Sequence, residues 1–121
     1  MPEIAKTPDM KIRYVVAAPV STLVEHAARG RRVIVAGPVA RHRWIFDRML
    51  SEVGPCSWSR ANGSIEIESG GAIFFVSSSP DAVRGVFADT LCVLAPVTEQ
   101  RIEVLMPCIR TSERPIVYRE L

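Results

Sequence analysis

Arginine is the main chemical resource of this chain. Lysine occurs only at positions 6 and 11, so 13 of the 15 basic residues are Arg. Arg29, Arg31, Arg32, Arg41, Arg43 and Arg48 all fall between positions 29 and 48. A guanidinium is a planar fork that binds phosphate or carboxylate through paired hydrogen bonds. His42, between Arg41 and Arg43, joins the same basic run. Trp58 and Arg60, in the stretch CSWSRANG, add an aromatic face beside a cation, the pairing that stacks on nucleobases. Arg29, Arg31, Arg32, Arg41, His42, Arg43, Trp58 and Arg60 therefore form a candidate surface for nucleic acid or an acidic partner. A solvated face at two helix ends explains the same arginines equally well.

Other chemistries find less support. Ser77, Ser78 and Ser79 would need His26 or His42 beside them, and no G-x-S-x-G elbow is present. Cys56, Cys92 and Cys108 form no CxxC pair and show no spacing to a histidine that suggests a nucleophile or a zinc site. Cys92 lies in an apolar run and reads as a buried thiol. Glu66 and Glu68 share one strand face, as on the wet side of a hairpin. Trp44 falls on the apolar face of its helix and is expected in the core. No metal and no cofactor is expected.

A length of 121 residues with 48% apolar content fits one hydrophobic core. Net charge is only +2, so the chain is not a bulk polycation. No apolar run reaches the roughly 18–20 residues of a membrane span, and the N-terminus lacks a signal-peptide core. A cytoplasmic location is expected.

The elements that must carry these residues read as follows. Residues 1–11 form a loose arm and residues 12–121 a single α/β domain. Residues 12–18 read as a buried strand, and a short helix follows with Ser21 as its N-cap and Gly30 at its end. RVIVAG (32–37) is the clearest strand. A helix follows over about 40–53, with Trp44, Ile45, Met49 and Val53 on its buried face. A hairpin spans 64–68 and 72–76. Next come a loop with a short turn at 82–84, a strand at 90–94, a helix at 97–106 and a strand at 115–119. Crossover rules then favour a mostly parallel sheet of five or six strands with helices on both faces.

The layout of residues 14–38, strand, tight turn, helix, strand, is that of a phosphate loop in a nucleotide-binding protein. RRVIVAGPVARHRWIFDRML, GGAIFFVSSSPDAVRGVFADTLCVLAP and EVLMPCIRTSERPIVYREL carry a resemblance to the ATPase core of phage large terminase subunits and, more distantly, helicases. The resemblance spans about residues 12–118 and implies a reduced P-loop NTPase-like, RecA-like core in three layers. The family's Arg-Gly loop adds Arg84 to the candidate contacts. The departures are specific. The loop reads AAPVST, with Pro19 and Val20 where Gly and Lys stand in the family. Ser21 and Thr22 remain as possible magnesium contacts, although N-capping explains them too. The Walker B strand LCVLAP ends in Ala95 and Pro96 rather than in two acids, and Glu99 lies three residues beyond. The phosphate loop needs backbone N–H groups and a lysine, and hydrolysis needs the acids.

The expectation is a degenerate, non-catalytic phage-type domain that binds nucleic acid or a protein partner, which could be an NTPase. A structural protein that self-associates, or a weak nucleotide-binding enzyme, are the alternatives.

Overall fold

The computed structural model describes residues 10–77 and 86–121. The expected loop at 77–81, the short turn at 82–84 and Arg84 itself lie almost wholly outside the described residues.

Seven strands form one sheet: β1 (Lys11–Val15), β2 (Arg32–Ala36), β3 (Cys56–Ser59), β4 (Ser64–Ile67), β5 (Ala72–Val76), β6 (Thr90–Val93) and β7 (Ile116–Glu120). Their order is β1-β7-β6-β2-β5-β4-β3. The first five in that order run parallel, and β4 and β3 add an antiparallel hairpin at one edge. The α/β fold read from the sequence is the fold observed, with seven strands in place of five or six. The extra strand is β3, which contains Trp58. CSWS carries little apolar patterning and so reads as loop, but Trp58 pairs with Ile65 in an edge ladder.

Helices α1 (Val20–Ala28) and α2 (Val39–Glu52) cover one face of the sheet, and α3 (Glu99–Leu105) with a 3₁₀ turn (Met106–Ile109) covers the other. On β2, Val33 and Val35 face α1 and α2, while Ile34 and Ala36 face α3. All four are fully buried, which is why this strand reads as a continuous apolar run. Gly30 closes α1 at φ 92°, a left-handed turn that glycine adopts without strain. Gly71 lies so close to the end of α1 that a Cβ there would stand 1.7 Å from the Ala27 carbonyl oxygen.

Four local expectations are corrected. The first strand is not buried. β1 pairs only with β7, so it forms an open edge, and Ile12 and Tyr14 are exposed together with Val16 just beyond it. Ser21 does not cap α1. The helix starts earlier, on the Pro19 carbonyl, which accepts from Leu23 N–H. The Ser21 hydroxyl instead donates to Glu52 Oε1 at 2.6 Å and links α1 to α2. Trp44 is 64% exposed, because the buried face of α2 is centred on Ile45, Phe46 and Met49. The last helix ends at Leu105, but a 3₁₀ turn continues through Pro107. Among the described residues no helix is long and apolar enough to cross a membrane.

Candidate functional site

The sequence groups the arginines of positions 29–43 together, but β2 separates them in space. Arg29, Arg31 and Arg32 lie at its amino end, and Arg41, His42 and Arg43 at its carboxyl end. A five-residue strand places the two groups roughly 15 Å apart.

At the carboxyl end, the two turns that the sequence reads as a degenerate nucleotide site meet around a carboxylate of the chain itself. The turn before α1 (Ala17, Ala18, Pro19) and the end of β6 (Ala95, Pro96) converge on the carboxylate of Glu120. Oε2 accepts from Ala18 N–H at 2.9 Å, and Oε1 accepts from Ala95 N–H at 3.1 Å. Arg41 completes the cage with an ion pair from Nη1 to Oε1 and a 3.0 Å bond from Nη2 to Oε2. Arg41 Nη1 also donates to the Ala95 carbonyl at 3.1 Å. Two backbone N–H groups and a guanidinium around an oxyanion are the donors that a phosphate would attract. Glu120 is 8% exposed, and the Arg41 guanidinium, helped by the two N–H groups, holds its carboxyl below the ordinary range although burial pushes it up.

The other residues of this site serve packing. Val20 is buried in the core between α1 and the sheet. Thr22 is half-buried, and Ser21 is engaged with Glu52. The Ala95–Pro96 peptide is cis. Glu99 pairs with Arg119 at 2.6 Å, as a solvated residue of a first helical turn. Beside Glu120 only a recess of about 400 Å³ remains, lined by Val93, Ala95, Pro96, Val97 and Leu121 with Arg119.

One helix turn away is an open cleft of about 630 Å³, lined by His42, Arg43, Phe46, Arg60, Asn62 and Phe75 among others. It opens at the carboxyl ends of β2 and β5, where ligands sit in open parallel sheets. Its floor is aromatic: Phe46 and Phe75 lie 5.5 Å apart between ring centroids, and Phe46 meets Trp58 edge-on at 6.3 Å. The Arg60 guanidinium lies over both Phe46 (5.3 Å) and Trp58 (5.5 Å) and pairs with Asp47. His42 Nε2 donates to the Gly37 carbonyl at 2.9 Å, which fixes the ring against Phe75. Arg43 is exposed and makes no ion pair among the described residues.

At the amino end, Arg32 is held by the Phe87 carbonyl (3.1 Å) and lies over Phe74 (5.0 Å). Arg29 pairs with Glu25 on its own helix. Arg31 is bonded to main-chain carbonyls, and His26 to Thr90. Burial pushes the Cys92 thiol up to about 12 and the Cys108 thiol to about 11, so these two stay protonated.

Sequence reasoning missed Glu120. A signal was available. Ile116, Tyr118 and Glu120 alternate on β7, and the first two face α1 and α2, so Glu120 must end on that side beside the turn at Ala18.

No family model and no curated protein matches the sequence. Solved structures do match in shape. The large terminase of a thermophilic bacteriophage superposes with a TM-score of 0.65 at 13% identity, over 96% of this chain and 34% of that one. The same terminase in complex with ADP superposes with a TM-score of 0.61 at 11% identity, over 91% and 33%. The chain thus spans about a third of the length of the terminases it matches, and over that span its fold is similar to that of a phage large terminase.

Proposed function

We propose that the chain is a non-catalytic phage-type protein with a terminase-like fold, which binds nucleic acid at the carboxyl-end cleft. The observation that carries this reading is the contrast between two adjacent places. The Glu120–Arg41 pair is closed on itself and on two backbone N–H groups, while Arg43, Arg60 and His42 line an open cleft with an aromatic floor. A single strand suits this region: its phosphates meet the guanidiniums of Arg43 and Arg60, and a base stacks on Trp58, which is 53% exposed beside Arg60. Titration of a labelled single-stranded DNA over a salt series tests the reading. Affinity should fall steeply with salt, and replacing Arg43 and Arg60 should flatten the slope by about one unit each. No binding at low salt would end the proposal. A calorimetric titration with magnesium-ATP should give no saturable heat, and micromolar binding would restore the weak-enzyme alternative.

A second reading is favoured by the β1 edge, where Ile12, Tyr14 and Val16 are 47%, 58% and 89% exposed. Lys11 and Val15 bond to the β7 side, so by ladder alternation the N–H and C=O groups of Ile12 and Tyr14 point outward. A second copy of the chain can add to this edge. Antiparallel pairing centred on Tyr14 sets Arg13 against Val15 of the other copy rather than against its Arg13. Light scattering on a sizing column should then show a dimer that Tyr14→Lys converts to monomer. A monomer at all concentrations removes this reading.

A further inference from the structure

The amino ends of the strands frame a second cleft, of about 590 Å³, whose lining includes Lys11, His26, Arg29, Arg31, Glu113 and Arg114. Four cations face one carboxylate there. Arg29 is partnered by Glu25, whereas Lys11 and Arg114 make no ion pair among the described residues. Arg31 is the fixed member. Its Nε donates to Thr90 Oγ1 at 3.2 Å, and its Nη2 donates to the carbonyls of Asp89 (2.9 Å) and Arg114 (2.6 Å). All three acceptors are uncharged, so the guanidinium is oriented without being neutralised, and Nη1 takes part in none of these bonds. Pre-orientation of this kind lowers the entropy lost when an anion binds.

We propose that this amino-end cleft binds a phosphate monoester, with Arg31 as the anchored cation and Lys11 and Arg114 supplying charge to the remaining oxygens. The cleft is far larger than a lone phosphate needs, which leaves room for the organic group of an ester. The proposal goes beyond the nucleic-acid reading. It lies at the other end of β2 and uses none of Arg43, Arg60 or Trp58.

His26 links this site to pH. Its Nδ1 lies 2.9 Å from Thr90 Oγ1. That hydroxyl accepts from Arg31, so its own proton is free for Nδ1, which leaves the N–H of the neutral ring on Nε2. Burial, then Arg31 and Arg29, hold the imidazole below its ordinary value, opposed by Glu25. Thr90 and the Tyr118 ring (5.8 Å between centroids) pack against it from the sheet, and Lys11, Glu113 and Arg114 line the same cleft. A bound dianion reverses the local field and favours the protonated ring, so binding should take up a proton and tighten as pH falls.

Calorimetric titration of the full chain with phenyl phosphate, inorganic phosphate and sulfate tests this. Sulfate keeps its charge throughout the range and so isolates the protein's own proton. Phenyl phosphate should bind saturably and at least as tightly as inorganic phosphate. The double variant Lys11→Gln, Arg114→Gln should weaken both by tenfold or more with an unchanged melting temperature, and Arg48→Gln should change neither. Sulfate should bind more tightly at about pH 6 than at about pH 8 in the native chain, and equally at both in His26→Gln. Absence of saturable binding, or equal binding by the double variant, overturns the site. Binding of inorganic phosphate but not the ester overturns the ester assignment. A pH slope that survives in His26→Gln overturns the role of the histidine.

Discussion

Arg41 and Arg43 stand two residues apart near the start of α2 and have opposite fates. At about 100° per residue they point about 160° apart around the helix axis. Arg41 turns toward α1 and β7, where the Glu120 carboxylate holds it with two backbone N–H groups. Arg43 turns toward β5 and the 60–63 turn and lines an open cleft. One guanidinium is held in an ion pair and its neighbour is exposed beside a cleft. Two guanidiniums on one helix, then, can be adjacent in sequence and stand in different surroundings. A count of basic residues along the sequence does not separate them.

The largest effect expected from this comparison is on the closed side. Glu120→Ala leaves Arg41 and the N–H groups of Ala18 and Ala95 without their acceptor. The cost is about 3 kcal/mol, the lower end for a broken buried pair because Arg41 is a third exposed. The melting temperature should fall by about 10 °C, read by circular dichroism. High acetate should recover part of the loss, since a free carboxylate can enter the vacated cage. Failure of any anion to stabilise this variant would mean that the cage is not an oxyanion site.

On the open side, Arg43→Ala with Arg60→Ala should weaken single-stranded DNA by about tenfold or more and leave the melting temperature within about 2 °C. Trp58→Ala should cost about tenfold in the same titration, the worth of one stacked base. If Glu120→Ala weakened DNA more than the cleft variants do, the division of labour between the two sites would be wrong.

A pH series sharpens the closed side further. The folded pKa of Glu120 is lowered, chiefly by Arg41, below the unfolded value near about 4.3. Its stabilisation is therefore complete above roughly pH 5 and is lost as pH falls through the folded value. Glu120→Gln should flatten the acid limb of the stability curve, and an unchanged limb would assign acid unfolding to other carboxylates. The smallest effect is expected at Ser21→Ala. Loss of its bond to Glu52, an exposed contact, should cost about 0.5–1 kcal/mol.

The same contrast shows what can be read from the sequence. The buried strands β2 and β6 and the glycine stop at Gly30 are legible, because burial on both faces and a left-handed turn leave plain marks in residue type. β1 and β3 mislead for one shared reason. Both are sheet edges, and an edge strand's exposure depends on which neighbour is missing, a property of topology and not of its own residues. Trp44 misleads because residues 44, 45, 46 and 49 are all large and apolar, and the face of α2 that is buried is decided by packing against Phe75 and α1. That AAPVST holds no Gly-Lys pair and that LCVLAP ends in no acid is plain from the sequence. Glu120 is legible only in part: the alternation along β7 gives its side of the sheet, but its N–H partners lie 25 and 102 residues away in sequence.

The most direct test of the division between closed and open sites is a labelled single-stranded DNA titration at low salt on three proteins: the native chain, Arg43→Ala/Arg60→Ala and Glu120→Gln. Saturable binding by the native chain, kept by Glu120→Gln and weakened at least tenfold in the arginine double variant, is the predicted pattern. Equal binding by the native chain and the arginine double variant would contradict it.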